Sequence, residues 1–169
     1  MRSQNYLSQS SAAEDALSHA LDPHKDERIE IYVDGSWGKL GERPDKSLIE
    51  VAGWGFVVVA EDVEIHSDCG VIRSPISRQI DGEAGAVLAA LAWAKDNGFE
   101  YLRFYHDYLG LSRWVQGIWR PKSRVAIKYV AEFSGFGIHA LWTHVKGHSD
   151  DKWNDRADAL AKEAVKRVR

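Results

Sequence analysis

The stretch between residues 29 and 71 constrains the fold most strongly, because it contains three segments with strand character in succession. Residues 29–34 alternate apolar and polar side chains, which is the pattern of a half-buried strand. Residues 51–60 and 63–71 are also strand-like, and Glu61-Asp62 between them is suited to a turn. Three successive strands joined by turns predict an antiparallel meander.

The first of these strands is expected to end at Asp34. The cluster Asp34-Gly35-Ser36 favours a turn. Residues 38–47 then contain two glycines, one proline and several charged side chains, a composition typical of a loop.

Helical and strand-like segments alternate after the meander. Residues 83–95 carry an apolar stripe at helical spacing, and Asn97-Gly98 provides a C-terminal stop. The remaining pattern predicts strands at 101–106 and 138–145 and helices at 108–118, 123–133 and 151–168. The order is β-β-β-α-β-α-α-β-α. It predicts an α/β (α+β) fold in which a five-stranded mixed sheet carries helices on both faces.

The composition restricts the domain number, the cellular location and the class of protein that this chain can represent. At 169 residues one domain is expected, with residues 1–27 as a polar tail that is disordered or loosely docked. Cys69 is the only cysteine, which excludes an internal disulfide and fits a reducing, cytoplasmic location. No apolar run reaches the roughly 20 residues of a membrane span, and no secretory signal is visible. The net charge of −3 weighs mildly against a non-specific nucleic-acid binder, and less against a metal-dependent nuclease with clustered acidic ligands.

Four acidic residues stand where sheets of this kind build their sites. Asp34 and Asp107 end predicted strands, while Glu83 and Asp158 lie near helix starts. Each alone is commonly a turn or helix-dipole residue. Drawn together, the four would raise one another's pKa values, which a divalent cation would relieve. Oxygen ligands without cysteine favour Mg²⁺ or Mn²⁺, and two ions about 3.5–4 Å apart suit phosphoryl displacement.

Five short motifs carry a family resemblance. In chain order they are Tyr32-Val33-Asp34-Gly35-Ser36, Gly82-Glu83 before an Ala/Leu-rich helix, Tyr105-His106-Asp107, Lys146-Gly147-His148 and Asn154-Asp155-Arg156-Ala157-Asp158. With them, from about residue 28 to 165, the chain resembles the type 1 ribonucleases H. The resemblance implies the ribonuclease H-like fold and a catalytic domain over 28–169. It also implies internal hydrolysis of the RNA strand of RNA/DNA hybrids, leaving 3′-hydroxyl and 5′-phosphate ends.

The resemblance further implies a role for each motif residue. Asp34 would bridge two Mg²⁺ ions, for which Mn²⁺ is a possible substitute. Glu83 and Asp107 would hold the ion on the leaving-group side, and Asp158 would join Asp34 at the ion that activates water. Asp155 is a rival for this fourth place, and only the family spacing selects Asp158. His148 would be a mobile histidine that assists proton movement or product release. We expect a monomer with no membrane partner.

The implied substrate contacts include several departures from the family. The set comprises Gly35, Ser36, Arg78, Gln79 and Trp114. Arg78-Gln79 stands where many relatives have Thr-Asn-Asn, so that the arginine would supply charge to a phosphate and the glutamine would donate to a 2′-hydroxyl. Trp114 would flank the groove for the DNA strand, although a tryptophan on a helix is as commonly a core residue.

The segment between Trp119 and Ile138 is too short for the basic protrusion of some relatives. Weaker substrate affinity and a shallow salt dependence are therefore expected, because fewer phosphates are neutralised.

Three alternatives remain open at this point. A junction resolvase on the same fold is disfavoured by the Gly147-His148-Ser149 loop and the Asn154–Asp158 helix start. A non-catalytic hybrid-binding module is disfavoured by the intact carboxylates. A domain derived from a reverse transcriptase is not excluded by any motif.

Overall fold

The computed structural model describes residues 29–147 and 150–169, so the predicted tail at 1–27 lies outside the described part. The five strands are β1 (Glu30–Glu42), β2 (Leu48–Ala60), β3 (Val63–Arg73), β4 (Tyr101–His106) and β5 (His139–His144). The helices of the described residues are α1 (Gln79–Asp96), α2 (Gly110–Val115), α3 (Arg124–Phe136) and α4 (Lys152–Arg167). Their order confirms the predicted β-β-β-α-β-α-α-β-α arrangement.

The strands form one mixed sheet in the order β3-β2-β1-β4-β5. β1 and β3 pair antiparallel with β2, whereas β4 pairs parallel with both β1 and β5. Tyr32 lies opposite Tyr105 in the parallel pair. Asp34 and Asp107 each follow two residues later, so both carboxylates lie at the same end of the sheet, where β4 finishes.

β1 is longer than the sequence predicts. It continues past Asp34 to Glu42, with a register shift between Lys39 and Gly41. The predicted loop over 38–47 is therefore wrong in its first half. Pairing with β2 satisfies the backbone hydrogen bonds of these residues, so the strand can continue here without apolar side chains. The turn itself occupies only 43–47, where Arg43 N–H donates to the Ser47 carbonyl at 2.8 Å.

Three helices differ from prediction at their ends, and one of them, α3, continues to Phe136 rather than ending at residue 133. α1 begins at Gln79 rather than at residue 83, so the helix includes a full turn ahead of Glu83. α2 covers only Gly110–Val115, shorter than the predicted 108–118.

Apolar side chains pack on both faces of the sheet, as predicted. On one face Ile29, Ile31 and Val33 of β1 pack with α1. On the other face Tyr32, Val57 and Val59 pack with Ala157 and Leu160 of α4. A Cβ at Gly55 would lie 2.7 Å from the Ala157 carbonyl oxygen, so this glycine permits α4 to approach β2 closely. None of the described helices is long and apolar enough to cross a membrane.

Candidate active site

Three carboxylates come together at the end of the sheet where β4 finishes. Ligand oxygens of Asp34, Glu83 and Asp107 all lie within 4.8 Å of one another. Asp34 is 5% exposed and Glu83 is 2% exposed, whereas Asp107 is only partly buried. The cluster therefore has a buried floor formed by β1 and α1 and a more open side at the end of β4.

Gly35 determines how closely α1 approaches β1. A Cβ at this position would overlap the backbone nitrogen of Glu83 and would lie 2.7 Å from the Gln79 carbonyl oxygen. These are backbone atoms that cannot move aside. The first turns of α1 therefore rest directly on the residue after Asp34, and this packing places Glu83 beside Asp34.

The electrostatics of the cluster favour a bound cation. Burial raises the pKa of Asp34 from 3.8 to about 7, with further contributions from the charges of Asp107 and Asp158. Burial, together with Asp34 and Asp107, also holds the pKa of Glu83 well above its ordinary value. Glu83 Oε2 is buried and has no hydrogen-bond partner, and an unsatisfied buried acceptor is costly. A divalent cation would satisfy this oxygen and offset the mutual repulsion.

Asp158 lies near this cluster but is not one of its three close members. Its side chain on α4 is 27% exposed and accepts a hydrogen bond from Lys162 Nζ at 2.7 Å. Its charge reaches Asp34, whose pKa it raises. The rival Asp155 is exposed on the first turn of α4. Because the charge of Asp158 raises the pKa of Asp34, Asp158 is the better candidate for the fourth acid of the site.

His148 and Ser149 lie outside the described residues. The residue before them, Gly147, lies against the cluster: a Cβ there would be 3.1 Å from Asp107 Oδ2. The loop that follows β5 therefore starts in contact with the carboxylate site.

The predicted substrate residues have different surroundings. Gln79 lines an open cleft of about 350 Å³ together with Glu83, Asp107 and Tyr108, and its side chain hydrogen-bonds Glu83. Ser36 follows Gly35 on β1 and is partly buried.

Arg78 is engaged within the protein. Its guanidinium lies 4.8 Å from the ring centroid of Trp37, and its Nε is 3.3 Å from Glu50 Oε1. Trp37 and Glu50 were missed at the sequence level, because neither residue falls in a predicted strand, whereas both lie in the paired part of β1 and β2.

Trp114 uses much of its ring in packing. The ring stands edge-on to Tyr108 at 5.6 Å and to Tyr129 at 6.4 Å between centroids, and it packs against the core beneath α1. This is the core arrangement weighed for it above. Tyr108 is a further site residue that the sequence signalled only through its position next to Asp107.

A five-stranded mixed sheet of this topology, with the carboxylates of Asp34, Glu83 and Asp107 gathered beside the end of β4, is the arrangement of the ribonuclease H-like fold class. No family model matches the chain. Curated relatives named ribonuclease H include one from a Polaromonas species, 31% identical over 83% of this chain and 90% of the relative. Another, from Paracidovorax citrulli, is 31% identical over 82% of this chain and 94% of the relative. The chain therefore belongs to the ribonuclease H family and is a nuclease.

Solved structures agree on the fold. RNase H1 from the halophilic archaeon Halobacterium salinarum superposes with a TM-score of 0.66 at 25% identity, covering 83% of this chain and 98% of that one. LC11-RNase H1 in complex with RNA/DNA hybrid gives 0.67 at 21% identity, with the same coverage.

Proposed function

We propose that the protein cuts the RNA strand of RNA/DNA hybrids internally with the help of two divalent cations, leaving 3′-hydroxyl and 5′-phosphate ends. The observation that carries the proposal is the close trio of Asp34, Glu83 and Asp107, in which Asp34 and Glu83 are buried and one Glu83 oxygen has no hydrogen-bond partner. Family membership supports the chemistry, and the complex of LC11-RNase H1 with RNA/DNA hybrid supports the substrate.

The donor set fits Mg²⁺, with Mn²⁺ as a substitute, because it consists of carboxylate oxygens alone. Asp34 would be shared between two ions, Glu83 and Asp107 would complete one set of ligands, and Asp158 would contribute to the other. When bound, such ions activate water and stabilise the charge that develops on the phosphate.

The chain's own groups prepare this site before any ion arrives. The Gly35 N–H donates to Asp34 Oδ1 at 2.7 Å and fixes the direction of that carboxylate. Lys162 holds Asp158 from the next turn of α4 and offsets part of its charge. Glu83 is only 2% exposed, so its carboxylate is largely shielded from bulk water.

Selection of the hybrid would rest on shape and 2′-hydroxyl contacts rather than on base reading. Gln79 can donate from its amide next to the carboxylates, and the partly buried Ser36 has a hydroxyl that can donate as well. The backbone of α1 fills the space at the Cα of Gly35, so Gly35 would contribute to substrate binding through backbone atoms alone. Arg78 would face a phosphate from its place over Trp37, and the outer edge of Trp114 would border the DNA strand. His148 would assist proton movement or product release.

We further propose that residues 28–169 form the catalytic domain and that residues 1–27 are a tail. The protein would act as a monomer in the cytoplasm.

The test uses labelled RNA/DNA hybrid, duplex DNA, duplex RNA and a four-way junction, each with Mg²⁺, Mn²⁺ or chelator. We expect metal-dependent cutting confined to the RNA of the hybrid. Cutting of the junction would indicate a resolvase instead. Binding of the hybrid without cutting under either metal would indicate a non-catalytic module.

A further inference from the structure

Two histidines outside the carboxylate cluster hold the backbone around Asp107. His144 Nε2 lies 2.9 Å from the Asp107 carbonyl oxygen, and His106 Nδ1 lies 3.0 Å from the Tyr108 carbonyl oxygen. A backbone carbonyl only accepts hydrogen bonds. Both rings are therefore donors, with the hydrogen on Nε2 of His144 and on Nδ1 of His106.

Packing determines where the two rings stand. His106 is 1% exposed and stands edge-on to Trp142, with centroids 5.2 Å apart at 86°. His144 lies 5.9 Å from the His106 ring at 63°. The tryptophan thus orients His106, and His106 in turn limits the positions open to the His144 ring.

The hydrogen bond from His144 continues the sheet beyond its last strand pair. His106 and His144 are the final partners of β4 and β5, and Val145 N–H still donates to the His106 carbonyl at 2.9 Å. Asp107 comes after this point, where strand pairing has ended. The His144 side chain supplies the cross-strand hydrogen bond to Asp107 at the position where the backbone of β5 no longer does.

Asp107 needs this support because its carboxylate must reach partners on two other elements. Asp34 on β1 and Glu83 on α1 are deeply buried and firmly placed, whereas Asp107 is only partly buried at a strand end. Gly147 lies against the same carboxylate. The His144 hydrogen bond therefore joins the end of β4 to the segment that leads from β5 to Gly147.

We propose that His144 is a positioning residue, which holds the Asp107 carboxylate in reach of a divalent cation through its hydrogen bond to the Asp107 backbone. The inference rests on the proposed function for the presence of that cation. Contacts that orient metal ligands are typically worth 10- to 100-fold in metal affinity. We expect an effect near the lower end, since His144 acts on the backbone of one ligand only.

The test compares substitutions that keep or lose the donor. In His144→Gln the side-chain amide can stand where Nε2 stands, whereas in His144→Asn it is too short to reach, and His144→Leu has no donor. His139→Asn, at an exposed position on the same strand, is the matched control. Mn²⁺ binding is measured in the absence of nucleic acid, from the electron paramagnetic resonance signal of free Mn²⁺. The thermal midpoint in chelator and hybrid cleavage against Mn²⁺ concentration are measured in parallel.

We expect His144→Asn and His144→Leu to bind Mn²⁺ about tenfold more weakly, and His144→Gln and the control to stay within about threefold of the parent. At saturating Mn²⁺, cleavage by His144→Asn should recover most of the parent rate. Parent-like binding by His144→Asn, or equal weakening in His144→Gln, would overturn the inference. Loss of folded structure in chelator by both donor-free variants would also overturn it, because the histidine would then support the fold instead. A parent that binds Mn²⁺ but does not cut hybrid would refute the proposed function and leave this inference standing.

Discussion

Replacing Asp34 by asparagine should stabilise the metal-free protein, and the gain should depend on pH in a defined way. Asparagine keeps an oxygen that can accept from Gly35 N–H but removes a carboxylate whose pKa burial and neighbouring charges raise from 3.8 to about 7. A carboxyl group with a higher pKa in the folded state keeps its proton to a higher pH there than in the unfolded chain. Ionised Asp34 is therefore a destabilising group.

The pH window follows from these two values. Well below pH 3.8 the carboxyl is protonated in both states and contributes nothing. As pH rises towards 7 the unfolded chain ionises while the folded protein keeps its proton, so the free energy of unfolding falls. Above about pH 7 the loss is complete. A pKa difference of one unit between the folded and unfolded states corresponds to about 1.36 kcal/mol. The full loss in the free energy of unfolding from Asp34 is therefore about 4 kcal/mol.

Urea denaturation followed by tryptophan fluorescence measures this difference, with parent and Asp34→Asn compared in chelator between pH 4 and 8. The stability advantage of the variant should grow from near zero to about 4 kcal/mol and then level off. Asp155→Asn, at an exposed acid on α4, controls for the exchange of a carboxylate for an amide. Saturating Mg²⁺ should stabilise the parent more than Asp34→Asn, because ligand binding to the folded state adds to its stability. An advantage that is the same at every pH, or that shrinks as pH rises, would refute the electrostatic argument.

Three further results are expected. Asp107→Asn should abolish nearly all hybrid cleavage while circular dichroism and the thermal midpoint remain at least parent-like, since it removes a ligand and a repulsive charge together; an active variant would contradict its assignment. Asp158→Asn should reduce cleavage far more than Asp155→Asn in parallel rate assays, and equal losses would show that the fourth acid is misassigned. Gly35→Ala should lower the free energy of unfolding by about 1–3 kcal/mol in urea titrations, because its methyl group would meet the Gln79 carbonyl and the backbone of α1; parent-like stability would contradict the close approach.

Element order and the acidic candidates could be predicted from the sequence because both depend on local signals. Alternation marks the start of β1, strand-like composition marks β2 and β3, and helical spacing marks α1 and α4. The family motifs then select Asp34, Glu83 and Asp107 from 25 acidic residues. The extent of β1 could not be predicted in the same way, because residues 38–42 are held by backbone pairing with β2 rather than by apolar side chains.

The sequence by itself determined which residue types are present for the chemistry and which elements carry them. Only the tertiary structure decided how those residues act together. The raised pKa values of Asp34 and Glu83 arise from burial and proximity, which depend on the packing of α1 against Gly35. The support of Asp107 by His144 joins residues 37 positions apart, and His144 lies outside the five sequence motifs. Such contacts depend on distances between elements, and local sequence patterns specify the elements but not the distances between them.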